Sequence, residues 1–297
     1  MDERWRIELF GGLRARRGER VVTRFRSQKT AVLLAYLARH SGQKHAREVL
    51  VELLWPGSRP DAGRSSLGTA LWALRRQLES DDTPRGAVVL ADRNAVGLNQ
   101  EAVTTDVTEF EQAVASVHGA AKTKRVPILA QVVGLYTGEF MAGYYEDWLL
   151  AEQRRLGGLF HEALATLTRD LEQKGEVTQA IDYAWRGVEL DPLREEAHRD
   201  LIRLQVAAGR PELALQQYRE LERILTRELG SAPSRATRGL IDEIEAKGRG
   251  AASVRAVVAR ARPKRIRIRA TLPTQGTFVF LLIEGTGGPS SEALGRE

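Results

Sequence analysis

The sequence predicts a mainly α chain in two parts: an N-terminal winged helix-turn-helix (α+β), then an all-α, tetratricopeptide-like helical domain. Three observations predict it. Short alternating strands, three amphipathic helices and a turn-bearing hairpin follow one another within residues 1–100. From Thr105 onward apolar residues recur at helical spacing almost without a break. Gly175-Glu176 and Gly209-Arg210 then stand 34 residues apart, as do Ala180 and Ala214.

The head opens on strands. Trp5, Ile7 and Leu9 alternate with polar residues until Gly11-Gly12 breaks the run. Leu13 and Ala15 lie in a second alternating piece, Arg17-Gly18-Glu19 turns, and Val21-Val22 with Phe25 begins a third, so a small antiparallel sheet is expected. Residues 30–40 and 47–54 are helical by spacing, ending at Ser41-Gly42 and at Trp55-Pro56-Gly57. A third helix starts near Asp61, which is placed to cap its first turn after Pro60. VVLADRNAVGLN, residues 88–99, holds two short β-type runs around the turn-forming triplet Asp92-Arg93-Asn94.

The third helix has two unlike faces. Leu67, Leu71, Leu74 and Leu78 recur at i, i+4, i+7 and i+11, the spacing of one buried stripe. Away from it stand Arg64, Ser65, Gly68, Thr69, Trp72, Arg75 and Arg76, with no carboxylate until Glu79. A guanidinium, hydroxyl and indole surface on a helix held by its leucines suits the major groove of DNA. Arg64, Ser65 and Gly68 lie near the helix N-terminus, where such helices meet base edges. Gly68 lets a duplex approach closely at some cost in helix propensity. Trp72 has two readings: contact with sugar-phosphate or a thymine methyl, or packing against a neighbouring element, the second slightly favoured. Arg75 and Arg76 suit phosphates, or a solvated basic end favoured by the helix dipole. Arg93 at the hairpin tip suits the minor groove or a phosphate, though a turn arginine is usually just solvated. Lys29, Lys44 and Arg47, near helix starts, suit the DNA backbone, adding affinity without sequence choice.

In the body, an amphipathic run after Asp106 extends to about Val117, and a basic loop at residues 118–125 precedes a helix to Tyr136. Residues 145–174 read as one long helical segment whose weak point is Gly157-Gly158. The 34-residue period, with small residues at the helix crossing, is the tetratricopeptide signature; a generic helical bundle is the alternative. From Gly248 the chain is rich in Arg, Gly and Ala, with basic alternation at residues 265–269. A disordered tail is expected there, with phosphate binding or an edge strand as the alternatives. The domains are thus 1–100, 101–247 and a basic tail, 248–297.

Charge follows the same division. Residues 1–100 hold 18 basic and 11 acidic side chains, residues 101–247 hold 18 and 25, and the tail 9 and 3. A basic head beside an acidic body suggests different partners for each. There is no cysteine, which excludes disulfides and thiolate chemistry and makes a reducing cytoplasm the simplest compartment. The polar start MDERWRIELFGG is not a secretory signal, and no run approaches the length of a membrane span. Phosphate-loop, dinucleotide-binding, zinc-protease and nucleophile-elbow motifs are absent. His40, His45, His118, His161 and His198 are scattered without ligand spacing. No enzyme activity, metal or cofactor is expected.

The stretch LLAYLARHSGQKHAREVLVELLWP followed by RSSLGTALWALRRQL resembles the response-regulator-type winged helix that opens bacterial activators of the SARP kind. TDVTEFEQAV, YTGEFMAGYYEDWLLAEQRRL, HEALATL and RELGSAPSRATRGLIDEI resemble the bacterial transcriptional activator domain that follows it in that family. The resemblance implies a transcription factor whose winged helix binds double-stranded DNA, at direct repeats, and whose helical domain supports dimerisation and contact with RNA polymerase. It implies a polymerase contact for the loop at residues 55–60, whose other reading is a mere connector. The hairpin lacks the Gly-Tyr-Arg-Leu ending common in such wings, which weakens Arg93. The chain shows no nucleotide-binding motif of the longer relatives, so ATP dependence is not implied. A sequence-specific regulator, active as a homodimer on DNA and without a membrane partner, is the expected function. A tetratricopeptide-type scaffold with a basic docking domain is the alternative, and an enzyme with a carboxylate pair in a helical cavity the more distant one.

Overall fold

The computed structural model of the chain describes residues 4–79 and 83–260. Strand β1 (Trp5–Glu8) forms where side chains alternate, with Trp5 and Ile7 buried and Arg6 and Glu8 only partly so. It pairs antiparallel with β2 (Arg14–Arg17), which pairs with β3 (Arg20–Val22). Then come α1 (Gln28–Arg39), β4 (Lys44–Ala46), α2 (Arg47–Leu54), α3 (Pro60–Leu78), β5 (Val89–Ala91), β6 (Ala95–Leu98) and β7 (Val103–Thr105). This is the winged helix-turn-helix order. Ser27 starts α1 by accepting the Thr30 N–H, and the helix buries Ala31, Val32, Leu33, Leu34 and Leu37.

Two strands go beyond the sequence reading. β7 pairs parallel with β1, so the first sheet is mixed, β3-β2-β1-β7, rather than antiparallel throughout. β4 joins the hairpin to make a second sheet, β4-β6-β5. Each has three residues, too few for a period of two to show.

The body is helical: α4 (Asp106–His118), α5 (Lys122–Leu135), α6 (Asp147–Gln173), α7 (Val177–Leu190), α8 (Glu195–Ala207), α9 (Pro211–Leu229) and α10 (Arg235–Arg260). Helix α5 starts inside the segment expected as a loop, and α6 runs unbroken through Gly157-Gly158. The repeat is physical. Gly175 and Gly209 both take positive φ, 80° and 73°. Behind them Glu176 N–H reaches Leu171 O and Arg210 N–H reaches Gln205 O, each at 2.9 Å, the same helix-ending turn twice. Ala180 and Ala214 are fully buried where their helices cross neighbours. Gly187 does the same on α7, since a Cβ there would lie 2.6 Å from Leu164 Cδ2. Helix α10 runs past the boundary expected at 247, and the compact unit ends beside that boundary, at Gly248. Residues 261–297, the rest of the expected disordered tail, lie outside the described residues.

Head and body share one core. It runs from Trp5 through the leucines of α1 and α3 to Phe110, Phe140, Phe160 and Leu204. The Asp106 carboxylate, at the start of α4, accepts the N–H groups of Leu9 (2.9 Å) and Phe10 (3.0 Å) at the end of β1. Burial pushes this carboxyl above its ordinary value, against the pull of these donors and of Arg6. Met141 N–H closes on Leu9 O at 2.7 Å, and the Phe10 ring meets Tyr136 at 4.8 Å. Residue 100 therefore marks a change of architecture within one compact unit, which extends to Gly248. A small second cluster, Ile202, Ala214, Ile241 and Ile244, serves the last repeat.

Asp106→Ala strands the backbone N–H groups of Leu9, Phe10 and Val107 and should cost about 2–4 kcal/mol, read as a lower denaturant midpoint. His198 is fully buried; its Nε2–H donates to Pro192 O (3.0 Å) while Nδ1 accepts from Gln217 Nε2 (2.8 Å). Burial pushes its pKa below 6.5. As pH falls the unfolded chain takes up this proton first. Stability from His198 is present above about pH 6.5 and is lost as pH drops through the lower folded value. Unfolding midpoints measured from about pH 7.5 to 5 should fall, with a shallower slope in His198→Gln.

Candidate nucleic-acid interface

Helix α3 is fixed by its leucines. Leu67, Leu71, Leu74 and Leu78 are at most 3% exposed, and Ala70 and Ala73 fill the space beside them. The Trp5 indole N–H donates to Leu78 O at 2.9 Å and holds the helix C-terminus against β1. Gly63 lets α3 cross α2 closely, since a Cβ there would stand 2.3 Å from Val51 Cγ1. That role was not legible in the sequence, where Gly63 is one more residue before the arginine. Asp61 does not cap the helix. Pro60 occupies the first helical position, so Arg59 becomes the N-cap without a side-chain bond, and Asp61 stands in the first turn with its side chain 99% exposed.

The opposite face is open. Arg64, Ser65, Gly68, Thr69 and Arg76 are exposed, and no part of the helical body covers them. Arg64 is loosely paired, 3.7 Å from Glu48 Oε1 on α2 and 3.9 Å from Asp61 Oδ1, contacts that are weak in water. A Cβ at Gly68 would meet nothing within 4 Å. Trp72 is 52% exposed rather than packed on a neighbouring element. Its ring is flanked by the guanidinium groups of Arg76 (5.1 Å) and Arg26 (5.7 Å). Arg26 lies in the loop before α1, and no periodic signal marked it. An open groove of about 840 Å³ runs beside this face, lined by Arg47, Gly68, Trp72, Arg76 and Arg85 among others.

Arg75 has a different post from Arg76. Only 19% of its side chain is exposed, and its Nη2 donates to Val89 O at 3.2 Å. Glu79, one turn on, accepts the N–H groups of Gly86, Val88 and Val89. Together they pin the strand that enters the wing. At the wing tip Asp92 Oδ1 accepts the N–H groups of Asn94 and Ala95, bonds that hold this carboxyl below the usual carboxylate range. Lys44 Nζ lies 3.4 Å from Asp92, Arg47 Nε donates to Asp92 O, and Arg93 projects into solvent. Lys44, Arg47 and Arg93 thus gather at the hairpin. Lys29 stands elsewhere: its ammonium lies 3.5 Å from Glu146, at the seam with the body.

Among the described residues no group of three or more His, Asp or Glu side chains is placed to hold a metal ion. No helix among them is long and apolar enough to cross a membrane.

Residues 105–245 match the family model described as the bacterial transcriptional activator domain. Among solved structures, the chain is similar to Mycobacterium tuberculosis EmbR in complex with a low affinity phosphopeptide, with a TM-score of 0.61 at 20% identity. The likeness covers 82% of this chain, more than residues 105–245 alone supply, so it takes in winged head and helical body together. The chain thus shares that fold, and its helical body carries the match to the activator domain. It spans 66% of the EmbR chain, and at this identity the likeness is one of fold. Among curated proteins none matches the sequence. The matched residues take in helices α4 to α9 and the start of α10. The cleft of about 320 Å³ beside His161 and Asp200 belongs to the repeat packing, with Arg199 on Glu196 and Arg203 on Asp200.

Gly63→Ala should cost about 1–3 kcal/mol by forcing Val51 off α3. Gly68→Ala, on the open face of the same helix, should instead gain up to about 1 kcal/mol. Denaturant unfolding of the two variants checks both signs.

Proposed function

We propose that the chain binds double-stranded DNA sequence-specifically and activates transcription from promoters carrying direct repeats. The observation that carries this is the uncovered face of α3: guanidinium, hydroxyl and glycine outward, leucines inward, on a helix that cannot roll. Arg64 would read base edges, with a bidentate match to guanine O6 and N7. Ser65 and Thr69 would reach bases or phosphate beside it, and Gly68 would admit the duplex. Arg93, Lys44 and Arg47 would meet the backbone or minor groove at the wing. Arg76 would take a phosphate, whereas Arg75 would act through the wing it anchors. Two copies on one face of the duplex would need half-sites about 10 base pairs apart. The exposed loop after Trp55, with Ser58 and Arg59, would be presented to RNA polymerase. Such a protein works in the cytoplasm, on the nucleoid.

A site selected from randomised duplexes tests the reading. Arg64→Ala should cost about 1–3 kcal/mol on the selected site and relax its sequence preference. Arg76→Ala should weaken matched and mismatched duplexes by the same factor and lower the salt slope by about one. Equal loss on all duplexes for Arg64→Ala, or no duplex binding at low ionic strength, overturns the assignment.

A further inference from the structure

We propose that Arg26, Trp72 and Arg76 form a second DNA contact, a guanidinium–indole–guanidinium stack that grips one sugar-phosphate strand beside the major groove. This rests on the reading of α3 as the DNA-reading helix.

Arg26 is held in place although it sits in a loop. Phe25 before it packs against the core, Ser27 after it caps α1, and Gln77 Nε2 of α3 donates to Arg24 O at 2.7 Å. The loop is therefore stapled to the last turns of α3, with Arg26 over the Trp72 ring. Among the described residues Arg26 and Arg76 meet no carboxylate, and both lie over the one indole. Arg6, Arg14 and Arg39, by contrast, each pair with a glutamate. Two like charges on one ring without a counter-ion repel each other, and an anion bound between them relieves that. The indole itself leaves half its surface in water.

Position selects the anion. Trp72 and Arg76 lie in the C-terminal half of α3, and Arg26 on another element. The base-reading candidates Arg64 and Ser65 are two turns and more away toward the N-terminus. A helix that enters the groove by its N-terminal half passes a phosphate ridge with its other half. There each guanidinium can give a phosphate two parallel hydrogen bonds, while the indole lies on deoxyribose. Such a contact adds affinity without sequence choice.

The test uses the full chain, a random-sequence duplex of about 30 base pairs and the site selected from randomised duplexes. Arg26→Ala should weaken both duplexes by the same factor, about three- to tenfold, and lower the salt slope by about one. Arg26→Lys should keep the slope and recover part of the affinity. Duplex should quench tryptophan emission in the native chain, with much of that quench missing in Trp72→Phe. Thermal unfolding of each variant should match the native chain, because these side chains are exposed. Unchanged affinity and slope in Arg26→Ala, while Arg64→Ala still loses discrimination, overturns the stack and leaves the reading of α3 standing. A changed sequence preference in Arg26→Ala overturns it too, since the contact would be to bases. Failure of the native chain to bind any duplex overturns the reading of α3 and the stack together.

Discussion

The rest of the structure depends on how β1 is held at both ends. At its start the Trp5 indole N–H takes the last carbonyl of α3 at Leu78. At its end the Asp106 carboxylate takes the N–H groups of Leu9 and Phe10. Between these points β1 pairs with β2 on one side and with β7, the strand leading into α4, on the other. One buried strand thus joins the end of the outward-facing helix to the start of the activator domain. A buried carboxylate with three backbone donors is costly to disturb, because each donor left without a partner pays its own desolvation. The direction of α3 is accordingly set by the same core that fixes the body.

A second set of contacts closes the seam on the far side of the head. Arg39 of α1 reaches Glu111 of α4 (3.1 Å) and Glu152 of α6 (2.9 Å), and Arg155 shares both carboxylates. Burial works to raise the pKa of Glu152, but the hydrogen bonds from Arg155 and Arg39 win and hold it below the usual range. Tyr36 packs edge-on against Trp148 at 5.3 Å, with His40 and His45 against its own ring. His45 lies on β4, the strand that pairs with the wing, next to Lys44 at the wing tip. The seam and the wing are therefore adjacent residues of one short strand, so a shift of the body against the head would be felt at the hairpin.

What could be read in advance follows from how local each feature is. The leucine stripe of α3 was legible because four large apolar residues at helical spacing have one place to go. The 34-residue repeat was legible because close helix crossings demand small residues and left-handed turns demand glycine. Asp61 was misread as a cap because Pro60 competes for the helix start, and proline at the first helical position moves the cap back to Arg59. β4 and β7 are strands through their partners, not through their own sequences. The partners of Lys29 and Arg75 lie on other elements, Glu146 and Val89, and no pattern within α1 or α3 announces them. Arg26 is the same case in reverse: its position over Trp72 comes from a loop stapled by Gln77, which only the folded chain reveals.

The surplus of basic residues in the head is a poor guide until they are sorted by what holds them. Arg6, Arg14 and Arg39 are neutralised by glutamates, Lys29 faces Glu146, and Arg75 is turned inward to the wing strand. Among those without a close carboxylate, Arg26, Arg76 and Arg93 stand with loosely paired Arg64 on or beside the uncovered face of α3 and at the hairpin tip. Arginines consumed by the fold help to fix the direction of α3, and Arg26, Arg64 and Arg76 supply charge at its open face. Part of the potential an approaching polyanion meets therefore lies where the helix is also open in shape. Shape and charge coincide on α3 because Arg26, Arg64 and Arg76 stay on its open side while Arg6, Arg39 and Arg75 are engaged in holding the fold.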